Sequence, residues 1–197
     1  MNITVVGAAK SGISAALLAN SQKHNVFVTE SKSIENYKEN SLILENNNIE
    51  FEFGKNSERA LNNCDLIITS PGVPPSSEII KSAEKKGVPI ISEIDYASKF
   101  LKNPIIAITG TNGKTTTTAL TEYIFNKSGR KAIAAGNIGT PLSSLVKKID
   151  KDTVIVAELS SYQLDRISSF KPDVATILNI TPDHLGYHGS FENYIFA

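Results

Sequence analysis

The sequence predicts an α/β protein made of two largely parallel sheets. Short β-branched runs alternate with longer mixed stretches, the alternation restarts after a proline in mid-chain, and each half opens with a glycine turn behind its first strand. Of 197 residues, 41% are hydrophobic and 20% charged, enough for a real core. Twenty basic residues balance twenty acidic ones, so net charge gives no reason to expect nonspecific binding to nucleic acid or an anionic membrane. One cysteine, Cys64, has no partner for a disulfide. The first apolar run breaks at Gly7 instead of continuing as a leader, and together these point to the cytoplasm. No apolar stretch approaches the roughly 18 residues of a membrane span.

In the first half, strands are predicted at 3–6 (ITVV), 26–29 (VFVT), 49–53 (IEFEF), 66–69 (LIIT) and 88–91 (VPII), with helices at 12–22 and 76–86. Pro104 disfavours helix at Asn103, so the helix before it is expected to end there, dividing the chain into 1–102 and 103–197. Second-half strands follow at 105–109 (IIAIT), 131–135 (KAIAA), 154–158 (VIVAE) and 174–178 (VATIL). SFENYIF (190–196) opens a helix with Ser190 as N-cap and Asn193 in place of the capping-box acid. The chain stops in that helix's second turn, which reads as a truncation.

Two turns carry the chemistry. ITGTNGKTTTTAL (108–120) follows a strand and contains Gly113-Lys114-Thr115, the end of a phosphate-binding loop, although Ile108 stands where the first glycine belongs. Gly110 and Gly113 permit the close turn, a helix starting near Lys114 aims free N–H groups at a phosphate, and the Thr115 hydroxyl suits Mg²⁺. Four consecutive threonines are poor helix formers and fit better where hydroxyls meet phosphate, metal or free backbone groups. The other turn, GAAKSG (7–12), has the place of a dinucleotide-binding turn, with Glu30 near the roughly 20-residue offset of a ribose-binding acid. Ala9 replaces its middle glycine and hinders close pyrophosphate approach, which favours a nucleotide other than NAD. TSPGVPP (69–75) forms a rigid turn behind another strand.

Taken in order, GAAKSG, SPGVP, ITGTNGKTT, GNIGTP, ELSSYQL and ILNITPDHL resemble the Mur ligase family over essentially the whole chain. GNIG and ELSSYQL behind a Rossmann-like first unit resemble its D-glutamate-adding branch. The resemblance implies a Rossmann-like parallel-sheet domain at 1–102 for the UDP-substrate and the first part of a phosphate-loop-type central domain at 103–197 for ATP, with a third domain absent. It implies ATP-dependent joining of D-glutamate to UDP-N-acetylmuramoyl-L-alanine through an acyl phosphate, with Mg²⁺ as cofactor.

By the same resemblance Gly110, Thr111, Asn112, Gly113, Lys114, Thr115 and Thr116 bind ATP, and Thr115, Glu158 and His184 hold metal. Lys114 and His184 take the catalytic roles; without the family, His184 would be a surface histidine, since Mg²⁺ prefers oxygen. Lys10, Ser11, Glu30, Ser31, Lys32, Ser70 and Gly72 receive the UDP part, and Asn137, Ser160 and Gln163 approach the muramoyl end, with loop capping as their alternative role. Two departures stand out. Gly186-Tyr187 replaces the Asp-Arg that many relatives carry after DHL, and the family's carbamylated metal-binding lysine falls just past Ala197. The chain alone is therefore expected to be inactive. A non-catalytic UDP-sugar-binding product and an NAD-dependent oxidoreductase are the alternatives. Oligomeric state stays open, with a monomer as the default.

Overall fold

The β-branched runs become the strands of two separate sheets in a computed structural model that describes residues 1–197. The first half contains β1 (Asn2–Val6), α1 (Lys10–Ser21), β2 (Asn25–Glu30), α2 (Lys38–Asn46), β3 (Glu50–Phe53), β4 (Leu66–Thr69), α3 (Glu78–Lys85), β5 (Ile90–Ser92) and α4 (Glu93–Ser98). The second contains β6 (Ile105–Thr109), α5 (Lys114–Lys127), β7 (Ala132–Gly136), β8 (Val154–Glu158), α6 (Ser161–Leu164), β9 (Val174–Ile177), α7 (Leu185–His188) and α8 (Phe191–Phe196).

Strand order is β3-β2-β1-β4-β5 in one sheet and β7-β8-β6-β9 in the other, and every pairing is parallel. In both sheets the opening strand lies inside, with neighbours that depart in opposite directions. The turn behind it therefore sits at the switch point on the carboxyl edge, where open α/β sheets take ligands. No helix is long and apolar enough to cross a membrane.

Boundaries differ from expectation where backbone donors are already committed. Val88 N–H closes α3 on Ala83 O (3.0 Å) and Pro89 has no N–H, so β5 begins at Ile90 instead of 88. The helix before Pro104 ends at Ser98, not at Asn103; the Asn103 side chain instead donates to Asp150 O (2.8 Å) and Thr153 O (3.0 Å). The four threonines do enter helix α5, at its start, where Thr115 and Thr116 come before the first closing bond, made by Thr117 N–H to Gly113 O (3.0 Å).

One hydrophobic cluster of 26 buried residues runs through both sheets. Ile3, Val5, Val28 and Ile68 of the first meet Ile105, Ala107, Ile155 and Ala157 of the second by way of α1, α4 and the turn at Leu142–Ser144. Ala15, Ala16 and Ala19 keep α1 thin enough for close approach. Polar ties flank this shared core. Ser92 N–H donates to Arg166 O (2.9 Å), and Ser143 N–H to Glu93 Oε1 (2.6 Å). The Asp95 carboxylate accepts from Ser168 Oγ (2.7 Å), Ser169 N–H (2.7 Å), Ser169 Oγ (3.1 Å) and Phe170 N–H (2.6 Å). Burial alone would raise the Asp95 pKa, but these donors outweigh it and the net shift is downward. Glu93 shifts the other way: burial pushes it up, with only the Ser143 contacts opposing.

Candidate functional site

The first glycine turn depends on two positions that admit no side chain. Gly7 has φ +99°, and a Cβ on Gly12 would lie 1.9 Å from Gly7 O. Glu30, at the end of β2 and 7% exposed, folds back over this turn. Its Oε2 accepts from Ala8 N–H (3.0 Å), and its Oε1 from Lys32 N–H (2.9 Å) and Ser31 Oγ (3.3 Å). The acid that the sequence offers to a ribose or uracil thus has internal donors on both oxygens. Ser70 Oγ donates to Gly7 O (3.3 Å). Above the turn lies a cavity of about 390 Å³, and Lys10, Ser11, Glu30, Ser31, Lys32, Ser70 and Gly72 all line it. Tyr37 also lines it without having been singled out from sequence; burial, then the neighbouring Glu30 charge, raises its phenol pKa.

Lys10 reaches further. Its Nζ donates to Gly139 O, in the turn between β7 and the second half's first 3-10 turn, so the expected UDP contact here links the two units.

The second turn is braced from behind by the segment after β9. Thr111 N–H donates to Asn179 O (3.0 Å), Asn112 N–H to Asn179 Oδ1 (2.9 Å), and Asn179 Nδ2 back to Asn112 O (2.9 Å). Thr111 Oγ1 accepts from Thr181 N–H (2.9 Å) and pairs with Tyr194 Oη (2.7 Å). A Cβ on Gly110, where φ is +137°, would come within 3.1 Å of the Asn179 backbone. Gly113 starts α5 with φ +85°, and Thr117 N–H makes the helix's first closing bond, to Gly113 O (3.0 Å). The N–H groups ahead of it lie at the helix's positive end, suited to an anion. Lys114 Nζ folds across the loop onto Gly110 O (2.6 Å) and Thr111 O (2.9 Å). Thr116 is exposed.

Glu158, at the end of β8, is 1% exposed. Thr115 Oγ1 donates to its Oε2 (2.8 Å) and Asn137 Nδ2 to its Oε1 (2.8 Å). Its side-chain partners are therefore a hydroxyl and a carboxamide, both neutral. A buried carboxylate beside a threonine hydroxyl is a pair of hard oxygen donors, which fits Mg²⁺.

His184 is not gathered into that pair. It begins α7 with φ 52°, lies 3.5 Å from Asp183 and packs its ring 4.8 Å from that of Tyr162. No three His, Cys, Asp or Glu side chains converge anywhere in the chain. Tyr187 packs on Tyr162 at 4.2 Å, and burial above all pushes its pKa up to about 12. Gly186 meets nothing that a Cβ would touch. Ser160 and Gln163 take the capping role: Ser160 N–H and Oγ both donate to Gln163 Oε1 (2.9 and 3.1 Å) at the start of α6. Asn179 and Tyr194 were missed as loop supports. Asn179 lies inside ILNITPDHL and could have been found there, whereas nothing local marks Tyr194.

A Rossmann-like sheet with a polar cavity, joined to a second parallel sheet whose Gly-Lys-Thr turn faces a buried carboxylate, places the chain among α/β proteins built on phosphate-loop turns. Comparison with known families narrows this. Residues 2–79 match the MurD N-terminal domain and residues 108–197 the Mur ligase middle domain. A UDP-N-acetylmuramoylalanine–D-glutamate ligase of Thermoanaerobacter sp. (strain X514) is 46% identical over 98% of this chain and 42% of the relative. One of Koribacter versatilis is 45% identical over 99% and 43%. The chain thus spans less than half the length of these relatives. Among solved structures, a UDP-N-acetylmuramate:L-alanyl-gamma-D-glutamyl-meso-diaminopimelate ligase from Neisseria meningitides shares the fold with a TM-score of 0.60 at 18% identity, over 98% of this chain and 66% of that one. The UDP-N-acetylmuramate-alanine ligase MurC of Thermotoga maritima does so with a TM-score of 0.56 at 24%, over 98% and 45%. The chain belongs to the Mur ligase family.

Proposed function

We propose that the chain is the N-terminal portion of an ATP-dependent, cytoplasmic ligase of peptidoglycan precursor synthesis that joins D-glutamate to UDP-N-acetylmuramoyl-L-alanine. The observation that carries this reading is the buried Glu158 carboxylate held by Thr115 at the mouth of the Gly113-Lys114-Thr115 turn. The names of the relatives supply the substrate pair. Residues 1–102 would hold the UDP part, and 103–197 the ATP.

The chemistry requires two anions, a carboxylate and a triphosphate, to be brought together. Positive charge and placement therefore do most of the catalysis. Lys114, drawn off the carbonyls of Gly110 and Thr111, would neutralise the β- and γ-phosphates, while the N–H groups opening α5 bind phosphate oxygens. Thr115 and Glu158 would hold Mg²⁺, which offsets the phosphate charge when bound. His184 would join as a further ligand only by leaving Asp183 and Tyr162. The γ-phosphoryl group would pass from ATP to the substrate carboxylate with ADP leaving; the amine of D-glutamate would then attack the acyl phosphate, and inorganic phosphate and the amine's proton would leave as the amide forms. Lys10, Ser11, Lys32 and Gly72 would meet the UDP part, with Glu30, Ser31 and Ser70 shaping the turn beneath it; Asn137, Ser160 and Gln163 would approach the muramoyl end. Because the chain spans 42% of a relative's length, it is expected to bind without turning over.

Calorimetric titration with UDP-N-acetylmuramoyl-L-alanine, with NAD as control, tests the reading. Binding of the UDP-sugar alone is the expected result. If neither binds while circular dichroism shows a folded chain, the assignment of the first cavity is wrong.

A further inference from the structure

A single line of contacts joins the two candidate sites. Lys10, on the rim of the first cavity, donates to Gly139 O. The turn that contains Gly139 is closed on itself by Gly136 N–H to Thr140 O (2.9 Å) and fastened to β8 by Asn137 N–H to Glu158 O (2.8 Å). Its base lies close against β8, where a Cβ on Gly136 would lie 2.3 Å from Glu158 O. The Asn137 side chain then holds Glu158 Oε1, and Thr115 holds Oε2 (both 2.8 Å).

We propose that Lys10 is a positioning residue that couples the two sites: a diphosphate in the first cavity takes its ammonium from Gly139, and the released turn loosens Asn137 from Glu158. This rests on the reading of the first cavity as a nucleoside-diphosphate site. A charged phosphate oxygen is a much stronger acceptor for an ammonium than a neutral carbonyl, so the exchange runs toward the anion. Glu158 with one fewer donor is freer to face a cation, so the diphosphate strengthens binding of Mg²⁺ with ATP. By linkage, ATP strengthens diphosphate binding by the same factor. The two arrangements differ in a defined contact, as a population shift requires.

The test uses the full 197-residue chain, UDP as probe and the side-chain amide signal of Asn137 in ¹H–¹⁵N spectra. UDP is expected to shift that signal in the wild type together with the Gly7 and Ser11 amides. Lys10→Met without ligand should show the shifted Asn137 signal already, and Lys10→Arg, which keeps a donor, should stay near the wild type. In calorimetry, saturating UDP should tighten binding of Mg²⁺ with a non-hydrolysable ATP analogue by about fivefold or more in the wild type and not in Lys10→Met. If UDP moves Gly7 and Ser11 but leaves Asn137 unmoved, the coupling is wrong and the cavity reading stands. If Lys10→Met leaves Asn137 at its wild-type position, the relay is likewise refuted, whatever UDP does. If UDP moves none of these signals, the cavity reading fails and takes the coupling with it.

Discussion

Both halves place a glutamate from the end of a neighbouring strand against a glycine turn, yet the two carboxylates are engaged differently. Glu30 accepts from two backbone N–H groups, so its charge is spent on holding the chain's path. Glu158 accepts from a threonine hydroxyl and an asparagine amide on its side chain, groups that can swing aside without unfolding anything. In the proposed reading the first carboxylate serves the path of the chain, and the second would be available to a cation. Position at the carboxyl edge of a parallel sheet does not distinguish them; the donors do.

Mutations separate the two roles. Glu158→Ala should weaken Mg²⁺-dependent binding of an ATP analogue at least about 100-fold by calorimetry, while Glu30→Ala leaves that binding close to wild type. An equal loss in both variants would break the comparison. Glu30→Ala should instead cost about 2 kcal/mol in urea unfolding, because the Ala8 N–H beneath it loses its acceptor.

The junction holds a second contrast of the same kind. Asp95, with its pKa held down, contributes stability that is present above the ordinary aspartate range and lost as pH falls through its depressed folded value. Asp95→Asn should cost about 1–2 kcal/mol near neutral pH and flatten the acid side of the stability profile, read from urea midpoints. Glu93, with its pKa raised by burial, keeps its proton in the folded chain where the unfolded chain has released it. Stability from this group therefore falls as pH rises from the ordinary glutamate range to the raised folded value. Glu93→Gln should remove that slope while changing stability at acidic pH by under about 1 kcal/mol, the smallest effect of the set.

Much of the fold was legible because its signals are local. The run IIAIT followed by two glycines and Gly-Lys-Thr specifies strand, turn and helix within a few residues, and β6 and α5 fall where expected. The pairing of Thr115 with Glu158 could be anticipated too, since Thr115 opens the helix behind β6 and Glu158 ends β8, the parallel strand beside it. What stayed hidden depends on distant partners. Spacing proposed Glu30 as a ligand group, and only the folded turn shows that Ala8 and Lys32 N–H also donate to its two oxygens. Lys10 reads as a cavity residue, which it is, and only the packing of the second unit beside it adds its contact with Gly139. Gln163 reads as a ligand contact, and only the structure shows its Oε1 accepting from Ser160.

The core shared by the two sheets bears on how this chain comes apart. Removing either half would uncover the faces of α1 and α4 on one side or the turn at Leu142–Ser144 on the other, so the two halves are expected to melt together. A calorimeter should record one cooperative transition. A protease that nicks the connection at 99–104 should leave two fragments that elute together until denaturant is added.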